Sequence, residues 1–200
     1  MHKIRFFIVT LASLLVFSSF GLKDEPAFKN GDLIFIVNPS GQGKAIQLAT
    51  GSRFTHVGII FMENGKPMVY HAVEPVSKNT LQEFVQMSAD GHYEIRRLKD
   101  QGLLTPAKIT AMLNEAKSRL GLHYDLAFNW SDEELYCSEF VWKLYDHALQ
   151  IRIGDLKPLK SFDLSHPVVK ARLEQRYGRN IPYNENMISP GDMYASSLLE

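Results

Sequence analysis

The stretch Leu135–Trp142 reads LYCSEFVW and contains the one cysteine of the 200-residue chain, Cys137. Apolar side chains recur at helical spacing from there to Leu149, which predicts an amphipathic helix that begins at Cys137. At a helix N-terminus, free backbone N–H groups and the helix dipole lower the pKa of a thiol. Ser131 and Glu134 also fit a capping box, and a helix starting there would place Cys137 in its interior. The stretch therefore leaves Cys137 as a nucleophile or as a small core residue.

Two histidines lie on neighbouring predicted strands. His56 begins the apolar run Val57–Met62, and His71 lies near the end of the returning strand Met68–Val73. An Asn-Gly pair between the runs is a strong hairpin signal, so residues 56–62 are predicted to pair approximately with residues 66–72. This pairing brings His71 near His56. A thiol, a base and a polar group that orients the base are the components of a catalytic triad.

A metal site is the competing use of these side chains. Cys137, His56 and His71 could together bind zinc, but the chain has no CxxC or HxxxH spacing to support such a site. We therefore expect no metal and no cofactor.

The remaining pattern predicts early strands followed by helices. Strands are also expected at Asp32–Val37 and Tyr93–Leu98. Helices are expected at Gln42–Thr50, Thr80–Met87, Pro106–Leu120, Cys137–Leu149 and Pro167–Tyr177. Strands that cluster early with helices around them indicate a single α+β domain.

The N-terminus has the pattern of a secretory signal peptide. Lys3 and Arg5 precede the run Phe6–Phe20, which is uncharged and almost wholly apolar. That run of about fifteen residues is shorter than the roughly twenty that span a bilayer. We therefore expect residues 1–21 to be a signal peptide cleaved near Gly21, and residues 22–200 to be an exported domain, periplasmic or extracellular, without a membrane span. An uncleaved anchor is the alternative.

Composition argues against several function classes. Twenty-two basic and twenty-two acidic residues cancel, so no electrostatic argument favours nucleic acid or an anionic membrane as a partner. Residues 41–44 look like a phosphate loop, but Asn38 and Ala45 occupy positions where that loop needs Gly and Ser or Thr. One cysteine cannot form an internal disulfide.

Two motifs together resemble those of a known enzyme family. SRFTHVG at 52–58 and YCSEFVW at 136–142 resemble the permuted papain-like cysteine hydrolases of the NlpC superfamily, in the YiiX/YebB-like branch. The likeness begins at 31–35 and includes 70–73, 121–125, 162–165 and 176–182. The histidine motif precedes the cysteine motif, as in permuted relatives. The resemblance implies a circularly permuted papain-like domain, with a small antiparallel sheet or a partial barrel flanked by helices.

The resemblance also implies roles for individual residues. Cys137 matches the nucleophile, His56 the base, and His71 the third polar position, where close YiiX-like relatives often have glutamate. Relatives of the lecithin retinol acyltransferase type also place a histidine there. Glu74 is near in sequence, but strand alternation puts it on the opposite face from His71. Tyr124 matches a position that lines the cleft, which gives it an auxiliary role.

The implied reaction is hydrolysis of an amide through an acyl-enzyme, with His56 either taking the thiol proton or holding an ion pair with the thiolate. The first substrate expected is a peptide, possibly a cell-wall stem peptide. An acyl lipid hydrolase or acyltransferase using the same site, and a catalytically idle binding module, are the alternatives. A deep apolar cleft beside Cys137 would favour acyl lipids, and a polar groove would favour peptides. The oligomeric state is left open.

Overall fold

The computed structural model describes residues 28–200. The signal peptide predicted at residues 1–21 lies outside the described residues, so export and cleavage stay predictions. Within residues 28–200, no helix combines the length and the apolar character needed to cross a bilayer.

Five strands form one antiparallel sheet in the order β4-β3-β2-β1-β5. They are β1 (Leu33–Ile36), β2 (His56–Glu63), β3 (Lys66–His71), β4 (Ser77–Thr80) and β5 (Tyr93–Arg96). The sheet is open at β4 and β5. Of the two forms expected, the small antiparallel sheet is therefore confirmed, and closure towards a barrel is not seen.

Six α-helices surround this sheet within the described residues. They are α1 (Gly41–Thr50), α2 (Leu81–Val85), α3 (Pro106–Ser118), α4 (Cys137–Leu149), α5 (Pro167–Tyr177) and α6 (Pro190–Tyr194). Two further strand pairs lie outside the main sheet: β6 (His123–Tyr124) with β7 (Glu134–Leu135), and β8 (Lys157–Pro158) with β9 (Asn186–Met187). The arrangement confirms the α+β class.

Successive side chains of the central strands enter two separate cores, because a strand presents alternate residues to opposite faces. Phe35 and Val57 belong to the larger core, which they share with α3 and α4. Ile36 and Ile60 belong to the smaller core, which Phe84 of α2 covers. Since both faces are buried, β1 and the first part of β2 are continuous apolar runs.

The β2–β3 hairpin decides which residues share a face. Its two-residue turn at 64–65 has positive φ at both positions, as the Asn-Gly pair predicts. Glu63 lies opposite Lys66, and continuing this register places His71 opposite Gly58, one residue away from the approximate pairing expected. Because residues opposite one another share a face, as do alternate residues along a strand, His56 and His71 point to the same side.

Candidate active site

The two predicted histidines are in direct contact. His56 Nε2 lies 2.8 Å from His71 Nδ1, and both side chains are buried. The Phe84 ring stacks on His56 at 5.5 Å between centroids and meets His71 edge-on at 5.0 Å. Gly58 leaves the space for this ring, since a Cβ at Gly58 would lie 3.1 Å from it. Phe84 and Gly58 therefore fix the histidine pair, and sequence reasoning missed both.

Asn79 extends the histidine pair into a chain of three side chains. His71 Nε2 lies 2.8 Å from Asn79 Oδ1. An amide oxygen only accepts hydrogen bonds, so neutral His71 carries its proton on Nε2 and accepts at Nδ1. His56 therefore donates through Nε2, which leaves the lone pair on Nδ1 of its neutral ring. Among the described residues nothing else hydrogen-bonds the His56 ring, so Nδ1 is available as a base.

The orientation of Asn79 is set by the start of α2. Asn79 Nδ2 lies 3.5 Å from Glu83 Oε2, and that carboxylate accepts from the Thr80 backbone N–H at 2.7 Å and hydroxyl at 2.9 Å. Thr80 and Glu83 thereby form a capping box at the start of α2. A carboxylate attracts the NH₂ end of the amide, so the oxygen faces His71. Sequence reasoning missed Asn79; the available signal was an asparagine just before a capping box.

Burial keeps both histidines neutral. It lowers the pKa of His71 from 6.5 to about 4, although the hydrogen bond with Asn79 acts in the opposite direction. Burial, followed by the charge of His71, lowers the pKa of His56 well below its ordinary value of 6.5. A charged imidazole loses hydration in such a site. At neutral pH, His56 is therefore in the form that accepts a proton.

Cys137 is the first residue of α4, so the alternative helix start at Ser131 is wrong. Its thiol is buried, and the backbone N–H groups of Val57 and Ser138 and the Ser138 hydroxyl act to lower its pKa. These groups favour the thiolate, but burial is the larger effect and raises the pKa of the thiol above 9.0. The expectation that the helix N-terminus lowers this pKa is therefore wrong in its net direction.

The Cys137 thiol is influenced by the backbone next to His56, but it is not hydrogen-bonded to the His56 imidazole. Within residues 28–200, no hydrogen bond joins Cys137 Sγ to the His56 or His71 ring. The N–H of Val57, the residue after His56, acts to lower the pKa of the thiol. The pKa of the thiol is raised and that of His56 is lowered. These directions favour a neutral resting pair over a thiolate–imidazolium pair.

Tyr124 is held between the cysteine side and the histidine side of the site. Gln42 Nε2 donates to Tyr124 Oη at 2.8 Å. The Glu74 carboxylate accepts from the Tyr124 backbone N–H and pairs with His123 Nδ1, both at 2.8 Å. Glu74 thus contacts the β6 segment, whereas His71 contacts His56.

Two concavities meet at this point. We call the one that contains Cys137 the apolar cavity and the one that contains His56 the polar cleft. Gln42, Ile46 and Tyr124 line both. The apolar cavity is also lined by Ala49, Phe128, Leu164, Val169, Leu173 and Met187, among others. The polar cleft is also lined by Asn38, Ser40, Thr55 and Glu74.

Comparison with known proteins decides the family. Residues 27–200 match the family described as permuted papain-like amidase enzymes, YaeF/YiiX, C92. The chain belongs to this family. The resemblance inferred from the two motifs is therefore confirmed, and so are the permuted papain-like fold and membership of an enzyme family of papain-like cysteine amidases.

Two relatives of the YaeF/YiiX family illustrate the likeness. The uncharacterized protein YiiX of Escherichia coli K12 is 44% identical over 169 residues, which cover 82% of this chain and 83% of YiiX. YiiX from Escherichia coli O157:H7, whose crystal structure is known, has 42% sequence identity with this chain. The two structures superpose with a TM-score of 0.82 over 87% of this chain and 96% of that one.

The Escherichia coli O157:H7 YiiX is described as a metalloprotein. In residues 28–200 of this chain, no group of three or more His, Cys, Asp and Glu side chains is placed to bind a metal ion. The two site histidines are hydrogen-bonded to each other, and His71 uses its second ring nitrogen on Asn79. These residues therefore do not fit a metal centre.

Proposed function

We propose that this amidase-family protein hydrolyses amides or esters whose acyl part is an apolar chain. The observation that carries the proposal is the apolar cavity around Cys137. The nucleophile lines a concavity whose walls are mostly aliphatic and aromatic side chains. A site that buries a substrate's apolar portion gains free energy in proportion to the apolar area removed from water.

In this proposal His56 and Cys137 perform the reaction in two halves. His56 Nδ1 accepts the thiol proton as Sγ attacks the carbonyl carbon. The hydrogen bond between the thiol and His56 Nδ1 is of the kind that tightens only when substrate binds. The resulting imidazolium gives its proton to the leaving amine or alkoxide as the carbon–heteroatom bond breaks. His56 then takes a proton from water, which attacks the thioester and releases the carboxylic acid and the thiol.

The backbone around Cys137 supports charge development in both halves. The N–H groups of Val57 and Ser138 act to lower the pKa of the thiol and are fixed by β2 and by the first turn of α4. Preorganised donors at such a position stabilise the thiolate that forms when His56 takes the thiol proton, without reorganising during the reaction. His71, held by Asn79, orients His56 and keeps its proton on Nε2.

The two concavities suggest how a substrate is divided. The acyl chain occupies the apolar cavity beside Cys137, and the leaving amine or alcohol faces the polar cleft beside His56. A stem peptide would use the polar cleft, and this remains the second candidate because that cleft carries Asn38, Ser40, Thr55 and Glu74. The cavity next to the nucleophile favours the acyl lipid that the sequence left as an alternative.

A chain-length series tests the proposal. We expect kcat/KM on acyl p-nitroanilides and p-nitrophenyl esters to rise from C2 to about C10, since each buried CH₂ contributes about 0.8 kcal/mol. Ala49 lines the cavity from α1, and Ala49→Leu fills part of it while keeping a strong helix former. This variant should lose activity on long acyl groups more than on acetyl groups.

The matched control lies on the other side of the site. Leu126→Ala removes an exposed side chain that lines only the polar cleft, and it should leave the chain-length dependence unchanged. Cys137→Ala reports the background rate. A flat chain-length profile together with cleavage of stem peptides would replace the acyl proposal with the peptide one.

We also propose that the protein is exported, on the basis of the N-terminal pattern alone. Lys3 and Arg5 followed by an uncharged apolar run support it. Mass spectrometry of the protein from its native host should give a mature chain beginning near residue 22. An intact Met1 in a soluble cytoplasmic fraction would contradict export.

A further inference from the structure

The apolar cavity contains two positive charges. Among the residues that line it, the charged side chains are Arg172 and Arg176, and none of the lining residues is acidic. The two arginines are one helical turn apart on α5, so they extend from the same face of that helix. A cavity that is apolar elsewhere thus carries charge of a single sign.

In the part of the chain that the structure describes, the ring and hydrogen-bond contacts of these guanidinium groups are with neutral side chains, and the two arginines also repel each other. Arg176 lies over the Phe128 ring, 4.3 Å from its centroid. Arg172 Nη1 donates to Gln175 Oε1 at 2.8 Å. Each guanidinium has five N–H donors, so both retain capacity for a further acceptor.

Arg176 is placed where a bound anion would be most effective. Burial lowers its pKa, because the surrounding side chains remove water from the guanidinium. A partly desolvated cation interacts strongly with an anion that can form paired hydrogen bonds with it. Phe128 packs on Tyr136, the residue before Cys137, at 4.9 Å, so this charge lies close to the nucleophile segment.

Arg172 extends the positive region to the edge between α5 and α1. Its Nη2 would lie 2.9 Å from a Cβ on Gly41, at the first turn of α1, next to Gln42 in the shared wall. Both guanidinium groups therefore line the cavity from α5, among side chains that are mostly apolar. This distribution matches an amphipathic ligand with one anionic group.

We propose that the apolar cavity selects acyl compounds that carry a negatively charged group, a carboxylate or a phosphate, which Arg172 and Arg176 bind. The inference rests on the proposed function, because it concerns the same cavity. It narrows the substrate class from apolar acyl compounds to anionic ones. Neutral and cationic compounds of equal chain length should bind less tightly.

Binding to the Cys137→Ala variant tests the charge preference without turnover. The probes are four C10 compounds: decanoate, decyl phosphate, decanol and decyltrimethylammonium, each titrated by calorimetry at constant ionic strength. We expect both anions to bind about tenfold more tightly than decanol, with the cation weakest. Decanoate and decyl phosphate distinguish a carboxylate from a phosphate as the preferred anion.

Arginine variants in the same background assign the preference. Arg172→Gln and Arg176→Gln should each reduce anion affinity by about threefold to tenfold and leave decanol affinity unchanged. Lys170→Gln is the matched control, because Lys170 is an exposed cation on α5 outside the cavity lining. Circular dichroism and the unchanged decanol affinity show that each variant is folded.

The outcomes separate this inference from the proposed function. Equal affinity for decanol and both anions overturns the charge preference while retaining the acyl cavity. Equal losses for decanol and decanoate in the arginine variants assign the arginines to packing and also overturn it. Absence of binding by all four C10 compounds overturns the acyl cavity itself, and with it the proposed function.

Discussion

The apolar cavity and the polar cleft share a wall but differ in chemistry. Gln42, Ile46 and Tyr124 line both, and a 2.8 Å hydrogen bond between Gln42 and Tyr124 lies in that wall. Cys137 opens onto the apolar side and His56 onto the polar side. In the proposed mechanism, the nucleophile Cys137 and the base His56 therefore face different halves of a substrate that spans the wall.

The charges of the two concavities are also opposite. The apolar cavity has two arginines, whereas the acidic side chain in the lining of the polar cleft is Glu74. The backbone N–H of Tyr124 and the side chain of His123 lower the pKa of Glu74, so this carboxyl is ionised at neutral pH. If the proposed acyl substrate spans both concavities, its acyl half and its leaving half therefore lie in separate electrostatic environments.

The largest effect on activity is expected from replacing Cys137 or His56, which lie on opposite sides of the shared wall. Cys137→Ala and His56→Ala should each lower kcat on an acyl amide by about 10³-fold or more, because the nucleophile and its base act as a unit. The double variant should be no slower than the slower single variant. Hydrolysis rates with circular dichroism as a folding control measure this.

Additive losses of activity in that double variant would contradict this expectation. They would mean that the thiol and the imidazole act independently on their own sides of the wall. Iodoacetamide labelling gives a second measure, since labelling of Cys137 should slow in His56→Ala if His56 takes the thiol proton.

The next largest effect concerns the stability of the buried histidine pair. His71 has a pKa of about 4 in the folded chain and 6.5 in an ordinary setting. Between these pH values the unfolded chain binds the proton and the folded chain does not, so stability falls as the pH decreases from 6.5 to 4. For His71 the loss is about 3 kcal/mol over that window.

Urea unfolding at pH 7 and pH 4.5 measures this loss. His71→Asn should reduce the difference in unfolding free energy between the two pH values. His92→Asn is the control, because His92 is exposed and lies outside the site. Equal pH dependence in wild type and His71→Asn would contradict the neutral buried pair.

Local signals explain what the sequence could predict. The hairpin follows from an Asn-Gly turn between apolar runs, and the bounds of α4, Cys137–Leu149, follow from its apolar periodicity. The nearness of His56 and His71 follows from the hairpin alone. Each of these features depends on residues in the same or in neighbouring secondary-structure elements. Hydrophobic periodicity and turn-forming residues are therefore enough to predict them.

Other features depend on packing between distant segments, which the sequence does not reveal. Asn79 reaches His71 only because β4 pairs with β3. The thiol of Cys137 has a raised pKa because the whole fold buries it, an effect that outweighs the helix N-terminus. The apolar cavity is assembled from α1, α5 and residues 187–190, which are far apart along the chain.

Substitution of Asn79, which was not predicted from the sequence as a site residue, should have an intermediate effect on activity. Asn79→Ala removes the acceptor that holds the His71 proton on Nε2, so His56 loses its fixed tautomer. We expect kcat/KM to fall about 30-fold, a part of the 10²–10⁴ that a positioned base contributes. Asn79→Asp keeps an acceptor for His71 but places it beside the Glu83 carboxylate, so it should recover part of the rate.

The pH profile distinguishes positioning from simple folding support. A carboxylate at position 79 would stabilise a positive charge on the coupled His56–His71 pair and so raise the pKa at which the pair takes up its first proton. The acid limb of kcat/KM should therefore move to higher pH in Asn79→Asp. Gln82→Ala, an exposed change on α2, should leave the profile unchanged. An unshifted acid limb in Asn79→Asp would contradict the role of Asn79 in positioning the histidine pair.

The smallest effect sharpens the charge difference between the two concavities. Glu74 is an exposed carboxylate in the polar cleft, so solvent screens its attraction for a positively charged leaving group. Glu74→Gln should raise KM about twofold to threefold for an acyl amide whose amine portion is cationic. For a neutral amine portion of equal size, KM should stay constant, because the glutamine keeps an oxygen for the Tyr124 N–H. Parallel titrations at low and high salt measure this difference, which should shrink as salt increases. A KM change of equal size for both amines would assign Glu74 to holding Tyr124, and the polar cleft would then select its ligand by shape alone.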